Sequence, residues 1–184
     1  MSLSIAIQMD PIGSVDIDAD STFRMAEEAA KRGHTLFYYH VDDLAWDEGR
    51  VMATGWPLEV RRVKGDHFTL GDRQTVDLSA YDVVLLRQDP PFDMSYITNT
   101  HLLETIHPGT LVVNDPYWVR NCPEKILVLD FADLSPPTMI ARSLDHIRSF
   151  RERHGDMILK PLYGNGGAGV FRLRPEDGNL NSLH

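Results

Sequence analysis

A lysine at the end of a short apolar run, followed closely by four glycines, is the strongest chemical signal in this chain. The stretch reads Met157-Ile158-Leu159-Lys160-Pro161-Leu162-Tyr163-Gly164-Asn165-Gly166-Gly167-Ala168-Gly169-Val170-Phe171-Arg172-Leu173. Glycine admits positive φ and carries no side chain to hold a polyanion away. Successive free N–H groups in such a loop form a nest for phosphate oxygens, and Lys160 adds a full charge at its edge. Gly164-x-Gly166-x-x-Gly169 satisfies the spacing of the dinucleotide fingerprint, but that motif requires a helix after the glycines. Val170-Phe171-Arg172-Leu173 alternates and reads as a strand. No Lys-Ser/Thr pair follows the glycines, so the Walker pattern is absent. Strand, glycine flap and strand is the arrangement with which kinases cover ATP phosphates. The competing interpretation is a glycine-rich hairpin turn, although a hairpin requires only one or two glycines.

A second candidate is Arg87-Gln88-Asp89-Pro90-Pro91-Phe92-Asp93, which leaves an inner apolar strand at its C-terminal end. Open α/β sheets bind ligands at that edge. Two prolines stiffen the loop, and either X-Pro bond is open to the cis form. An arginine followed by carboxylates suits an amino-acid-like substrate, whose carboxylate would take the guanidinium in a bidentate contact. A rigid turn with a surface ion pair is the alternative. Asp10-Pro11-Ile12 occupies the corresponding edge of the first strand, where it either joins the same site or starts a turn. Lys125, taken alone, reads as a solvated surface lysine. The eight histidines show no two-His metal spacing on one face. No Gly-x-Ser-x-Gly elbow and no Cys/His arrangement points to a covalent nucleophile.

These residues need elements to position them. Ser4 to Met9 reads as a strand, Asp20-Ser21 as an N-cap, and Thr22 to Arg32 as a helix stopped by Gly33. Phe23, Met25, Ala26, Ala29 and Ala30 supply its apolar stripe. With Thr35 to Tyr39 as the next strand, the start of the chain forms a βαβ unit. Arg50 to Gly55, Leu58 to Val63 and His67 to Leu70 alternate and read as an inserted antiparallel meander. Tyr81 to Arg87 has the continuous apolar character of a buried parallel strand. A helix over Met94 to Ile106 and a strand over Leu111 to Asn114 close the first lobe. A second lobe is expected from Pro116 onward, with a helix over Glu124 to Asp133, a strand over Pro137 to Ala141 and a helix over Leu144 to His154. Leu144, Ile147 and Phe150 mark that last helix's core face. The fold class is α/β, with a parallel sheet and an antiparallel insertion.

Composition limits the function classes. The 184 residues carry a formal charge of −9, with 42% apolar and 24% charged residues. That charge argues against a nucleic-acid binder, since phosphate backbones are held by excess Lys and Arg. The single cysteine, Cys122, excludes a disulfide framework and fits a reducing compartment. No leader-like start and no apolar run of membrane-spanning length is present. A cytoplasmic protein with no nucleic-acid or membrane partner is expected.

Several segments together then resemble a known family. Met9-Asp10-Pro11-Ile12, Arg87-x-Asp89-Pro90-Pro91-Phe92-Asp93, Asn114-x-Pro116, Asn121-Cys122-x-Glu124-Lys125 and Ile158-Leu159-Lys160-Pro161-Leu162-x-Gly164-x-Gly166-Gly167 occur in this order. The series resembles bacterial glutathione synthetase, a member of the ATP-grasp ligases, from residue 4 to about residue 175. The resemblance implies ATP-dependent ligation of γ-glutamylcysteine with glycine through an acyl phosphate, with no protein nucleophile. It implies a Rossmann-like substrate-binding domain over 1–120 and the first part of an ATP-grasp domain over 121–184. Lys125 and Lys160 match the family's two ATP-contacting lysines. Gly164 to Gly169, including Asn165, match its mobile loop over the phosphates. Asp10, Arg87, Asp89 and Asn114 fall in the segments implied for substrate binding. The implied cofactors are ATP and Mg2+, and family members form homo-oligomers.

Family members carry metal-binding acidic and asparagine residues beyond the point that His184 corresponds to. The expectation is therefore an N-terminal part of a synthetase, inactive alone, with apolar surface uncovered near Val170 to Leu173. Another ATP-grasp ligase, acting on D-alanine or a peptide terminus, and a non-catalytic nucleotide- or substrate-binding module are the rival assignments.

Overall fold

The computed structural model describes residues 1–164 and 166–178. The chain divides into two compact units, Met1–Asn121 and the residues from Cys122 onward.

In the first unit, β1 (Ser4–Gln8) leads through a 3-10 turn (Ile12–Ser14) to α1 (Ser21–Lys31) and then β2 (Thr35–Asp47). The Asp20 side chain accepts the Phe23 N–H at 2.6 Å. Such an N-cap contributes about 1 kcal/mol. Phe23, Ala26 and Ala29 are buried as the spacing requires, but Met25 is exposed and Thr22 is buried in its place. The apolar stripe therefore sits one position away from Met25.

The antiparallel insertion differs from expectation in three respects. β2 continues through His40 to Asp47, beyond the apolar run. It does so because β3 (Arg50–Val60) pairs along it, with a register shift between Tyr39 and Leu44. At Gly55 the backbones come so close that a Cβ would stand 2.1 Å from the Tyr38 carbonyl oxygen. The runs separated at Pro57 form one strand. The Pro57 carbonyl accepts from the Gly71 N–H at 2.9 Å, so the N–H that proline lacks would have faced the same side. That position lies between the two partners of β3 on that side: β4 (Phe68–Leu70) pairs from Leu58, and β5 (Gln74–Asp77) pairs up to Gly55. Proline is tolerated where no ladder bond is required. β5 is short and polar and gave no sequence signal.

β6 (Val83–Leu86), α2 (Met94–Glu104), β7 (Leu111–Val113) and α3 (Pro116–Asn121) complete the unit. α3 belongs to the first unit, so the second begins later than Pro116. The seven-stranded sheet has the order β4-β3-β2-β1-β6-β7, with β5 beside β3. β2, β1, β6 and β7 are parallel neighbours in turn. One face packs Ile5, Ile7, Leu36 and Tyr38 under Ala26 and Ala29 of α1. The other packs Ala6, Phe37, Tyr39, Val84, Leu86 and Val112 with Leu103 of α2.

In the second unit the expected helix over Glu124 to Asp133 is a 3-10 segment, Leu127–Leu134, interrupted at Phe131 (φ −129°, ψ 41°). Pro137 to Ala141 is not a strand; among the described residues no strand lies beside it, and an isolated strand has no ladder to stabilise it. α4 (Leu144–His154) packs Leu144, Ile147 and Phe150 on Met157 and Leu173. Those two residues belong to β8 (Met157–Leu159) and β9 (Phe171–Leu173), an antiparallel pair.

Candidate functional site

The sheet reverses direction of growth beside β1. β2 was added on one side and β6 on the other, and this is the switch point where open α/β sheets leave a crevice. Asp10 follows β1 and Arg87 follows β6, so both stand at the C-terminal edge of neighbouring parallel strands. Asp10, Ser14, Asp16, Asp20, Arg87 and Asp89 help line a cleft of about 350 Å3 there. The Asp89 N–H donates to the Asp10 carboxylate at 3.0 Å, joining the two loops. Asn114 directly follows the neighbouring strand β7 at the same edge but is not among the cleft-lining residues.

Arg87 is held by neutral groups. Its Nε donates to Thr22 Oγ1 at 3.1 Å and its Nη2 to Ser21 Oγ at 2.9 Å. Guanidinium carries five N–H donors, and among the described residues none of them meets a carboxylate. A positive charge held by hydroxyls beside four carboxylates can receive a ligand carboxylate, while the aspartates favour an ammonium group. The two hydroxyls were missed from sequence. Their signal was the Asp20-Ser21-Thr22 run, which reads only as a helix cap.

The loop after Arg87 is fixed along its length. Gln88 Oε1 accepts from Asn99 Nδ2 at 3.1 Å, and Asp93 Oδ1 caps α2 through the Tyr96 N–H at 3.0 Å. Pro91 is cis. Tyr96 packs against Phe92, ring centroids 4.9 Å apart. Burial pushes the Tyr96 hydroxyl up in pKa; nearby Arg87 opposes this, and Asp89 and Asp10 reinforce it.

In the second unit the glycine flap joins β8 to β9. Gly166, Gly167 and Gly169 have φ of +58°, +78° and +70°. A Cβ on Gly166 or Gly167 would meet nothing within 4 Å, whereas one on Gly164 would lie 2.7 Å from Pro161 Cγ. Two of the glycines are thus open and left-handed, and Gly164 permits close approach. Lys125 lies on a turn before the 3-10 segment, not on a helix, and its Nζ donates to the Gly164 carbonyl at 2.5 Å. Lys160, directly after β8, is exposed, and among the described residues its ammonium has no hydrogen-bond or ion-pair partner. Asn165 lies outside the described residues. An ammonium group at the flap's base, a second one exposed, and open left-handed glycines are compatible with an anionic ligand such as phosphate. For a metal ion the fit fails: among the described residues no group of three or more His, Cys, Asp or Glu is placed to hold one. No helix among them is long and apolar enough to cross a membrane.

Two family models match the chain in succession. "Prokaryotic glutathione synthetase, N-terminal domain" matches residues 3–120, and "Prokaryotic glutathione synthetase, ATP-grasp domain" matches residues 124–184. The glutathione synthetase of Brucella melitensis is 59% identical over 183 residues, covering 100% of this chain. That of Rhodopseudomonas palustris is 55% identical over 184 residues, again 100% of this chain. The chain spans about 59% of the length of both. The glutathione synthetase of Vibrio parahaemolyticus is 41% identical over 182 residues, covering 98% of this chain and 58% of its own length.

Proposed function

The chain belongs to the prokaryotic glutathione synthetase family, and on that footing we propose that it serves the ATP-dependent ligation of γ-glutamylcysteine with glycine. In this reading residues 1–120 hold the dipeptide substrate, and 121–184 contribute the first part of the nucleotide-binding domain. The observation that carries it is the Arg87 guanidinium, held by two hydroxyls and free of carboxylate partners among the described residues, at the sheet's switch point beside Asp10 and Asp89. Asn114, at the same edge, is proposed as a further substrate contact.

The chemistry is group transfer. A substrate carboxylate oxygen takes the γ-phosphoryl group of ATP and ADP leaves. The glycine amine then attacks the carbonyl carbon of the acyl phosphate, loses a proton, and inorganic phosphate departs. No protein atom is bonded at any stage, so these residues act by placement and electrostatics. Arg87 orients a substrate carboxylate. Lys125, Lys160 and the N–H groups of Gly164 to Gly169, with Asn165 among them, meet the phosphates, and the flap shields the acyl phosphate from water. Magnesium, which such enzymes use to neutralise terminal phosphates, finds no group of ligands among the described residues, and no step here runs through it. A cytoplasmic location and a homo-oligomeric whole protein accompany the reading.

Calorimetric titration tests it. The chain is expected to bind γ-glutamylcysteine saturably, to leave D-alanine unbound, and to lose at least tenfold in affinity on Arg87→Ala, since charge-assisted hydrogen bonds contribute about 1.5–3 kcal/mol. Binding of D-alanine in place of the dipeptide, or an Arg87→Ala titration matching the parent, would overturn it.

A further inference from the structure

The cleft takes three of its four carboxylates, Asp10, Asp16 and Asp20, from the segment between β1 and α1. Apart from the 3-10 turn, that segment has no ladder to shape it. It is gripped instead by the β3–β4 hairpin, which lines no part of the cleft.

The two hydrogen bonds from the hairpin to segment carbonyls come from His67 and Arg62; Arg62 and Lys64 also pair with Asp18 at 3.7 and 3.9 Å, and Tyr38 of β2 bonds the Ile12 backbone. His67 is 8% exposed, and its Nε2 lies 2.8 Å from the Ile12 carbonyl oxygen. A carbonyl only accepts, so Nε2 carries the proton and donates it. The ring is wedged edge-on between Phe23 and Phe68, centroids 5.6 and 5.0 Å away. Phe68 also underlies Gly13, where a Cβ would stand 3.8 Å from its ring. Farther along, Arg62 Nη2 donates to the Ile17 carbonyl at 2.9 Å, while its Nε reaches both Glu27 oxygens at 3.2 Å. The same hairpin thus fixes residues 12 and 17, on either side of Asp16. Its own turn is tied by the Arg61 N–H to the His67 carbonyl at 2.9 Å and by the Arg61–Asp66 ion pair.

We propose that His67 and Arg62 are positioning residues: by holding the Ile12 and Ile17 carbonyls they set the segment that presents Asp10, Asp16 and Asp20 to the ligand. The ligand's identity, γ-glutamylcysteine, rests on the function proposed above; the clamp does not. The inserted meander is then a device for shaping the cleft, and ligand affinity depends on residues that never touch the ligand.

The test has two arms on the full 184-residue chain. In the first, amide hydrogen exchange is followed at Ser14, Ala19 and Asp20, whose N–H groups bond to Pro11 and Asp16 carbonyls within the segment. His67→Leu and Arg62→Met are each expected to speed exchange there about tenfold, the scale of one lost hydrogen bond. The sheet amides of Phe37 and Val84 should be unchanged. His67→Gln, which keeps a donor, restores slow exchange. In the second arm, γ-glutamylcysteine affinity falls about tenfold in His67→Leu and returns in His67→Gln. Arg62 is surface-exposed, so its variant remains informative if His67→Leu fails to fold. Unchanged exchange at all three amides in Arg62→Met and in a folded His67→Leu overturns the clamp. If the parent chain binds no γ-glutamylcysteine, the substrate assignment falls, and the exchange arm still decides the clamp.

Discussion

Among the described residues the guanidinium of Arg87 leans on two hydroxyls instead of a carboxylate, and that choice of partner decides what it can still bind. An arginine neutralised by an aspartate would have little to offer an incoming acid. Asp82 illustrates the opposite case, a charge whose work is internal. Its Oδ2 accepts from the Ser4 N–H at 2.7 Å and the Ser4 hydroxyl at 2.8 Å, fastening the start of β1. Those hydrogen bonds, the backbone one first, hold the Asp82 carboxyl below its ordinary range. A carboxyl depressed in the folded state stabilises the fold above its unfolded pKa of about 4 and loses that contribution as pH falls through the lower folded value. Asp82→Asn should therefore lower Tm at pH 7, and the gap to the parent should narrow steadily below about pH 4. A gap that stays constant from pH 7 to pH 3 in parallel melts would contradict this. Site residues were legible in proportion to how unusual their chemistry is. Lys160 with its glycines and Arg87 with its prolines stood out. Ser21 and Thr22 did not, because a hydroxyl at a helix start has a sufficient explanation as a cap.

Elements were legible where a local rule decides them. α1 carries its periodicity, cap and stop in sequence, α4 carries its periodicity, and both form where expected. β2 and β3 were misjudged because their pairing is set by each other: the strands continue through polar residues and through Pro57, and only the partner explains that. The run at Pro137 fails for the converse reason, having a strand's pattern but no adjoining strand among the described residues. The β8–β9 flap is local again, and its glycines make a sharp prediction. Gly167 has φ +78° with open space around its missing Cβ, so backbone strain alone opposes substitution, about 1–2 kcal/mol for a non-glycine residue. Gly167→Val should speed amide exchange across β8 and β9. Gly167→Asn should do so less, since asparagine tolerates the left-handed region. Equal exchange in the two variants would show that the flap does not hold this conformation in solution.

At the scale of the molecule, a net charge of −9 repels anions, so any hold on ATP must come from a local arrangement that outweighs it. In the proposed reading that arrangement is Lys125 at the Gly164 carbonyl, exposed Lys160 and the left-handed glycines, all within the second unit. Overall charge and composition argued against some classes without choosing among enzymes; the choice came from motifs and from the family matches across both units. The most direct test is to titrate the isotopically labelled chain with ATP and with adenosine while following its amide resonances. ATP, and not adenosine, should shift Gly164, Gly166, Gly167 and Gly169, and Lys160→Ala should weaken that response about tenfold or more, as expected for a lost charged contact. Flap resonances that stay in place through millimolar ATP, or that move equally with adenosine, would contradict the account.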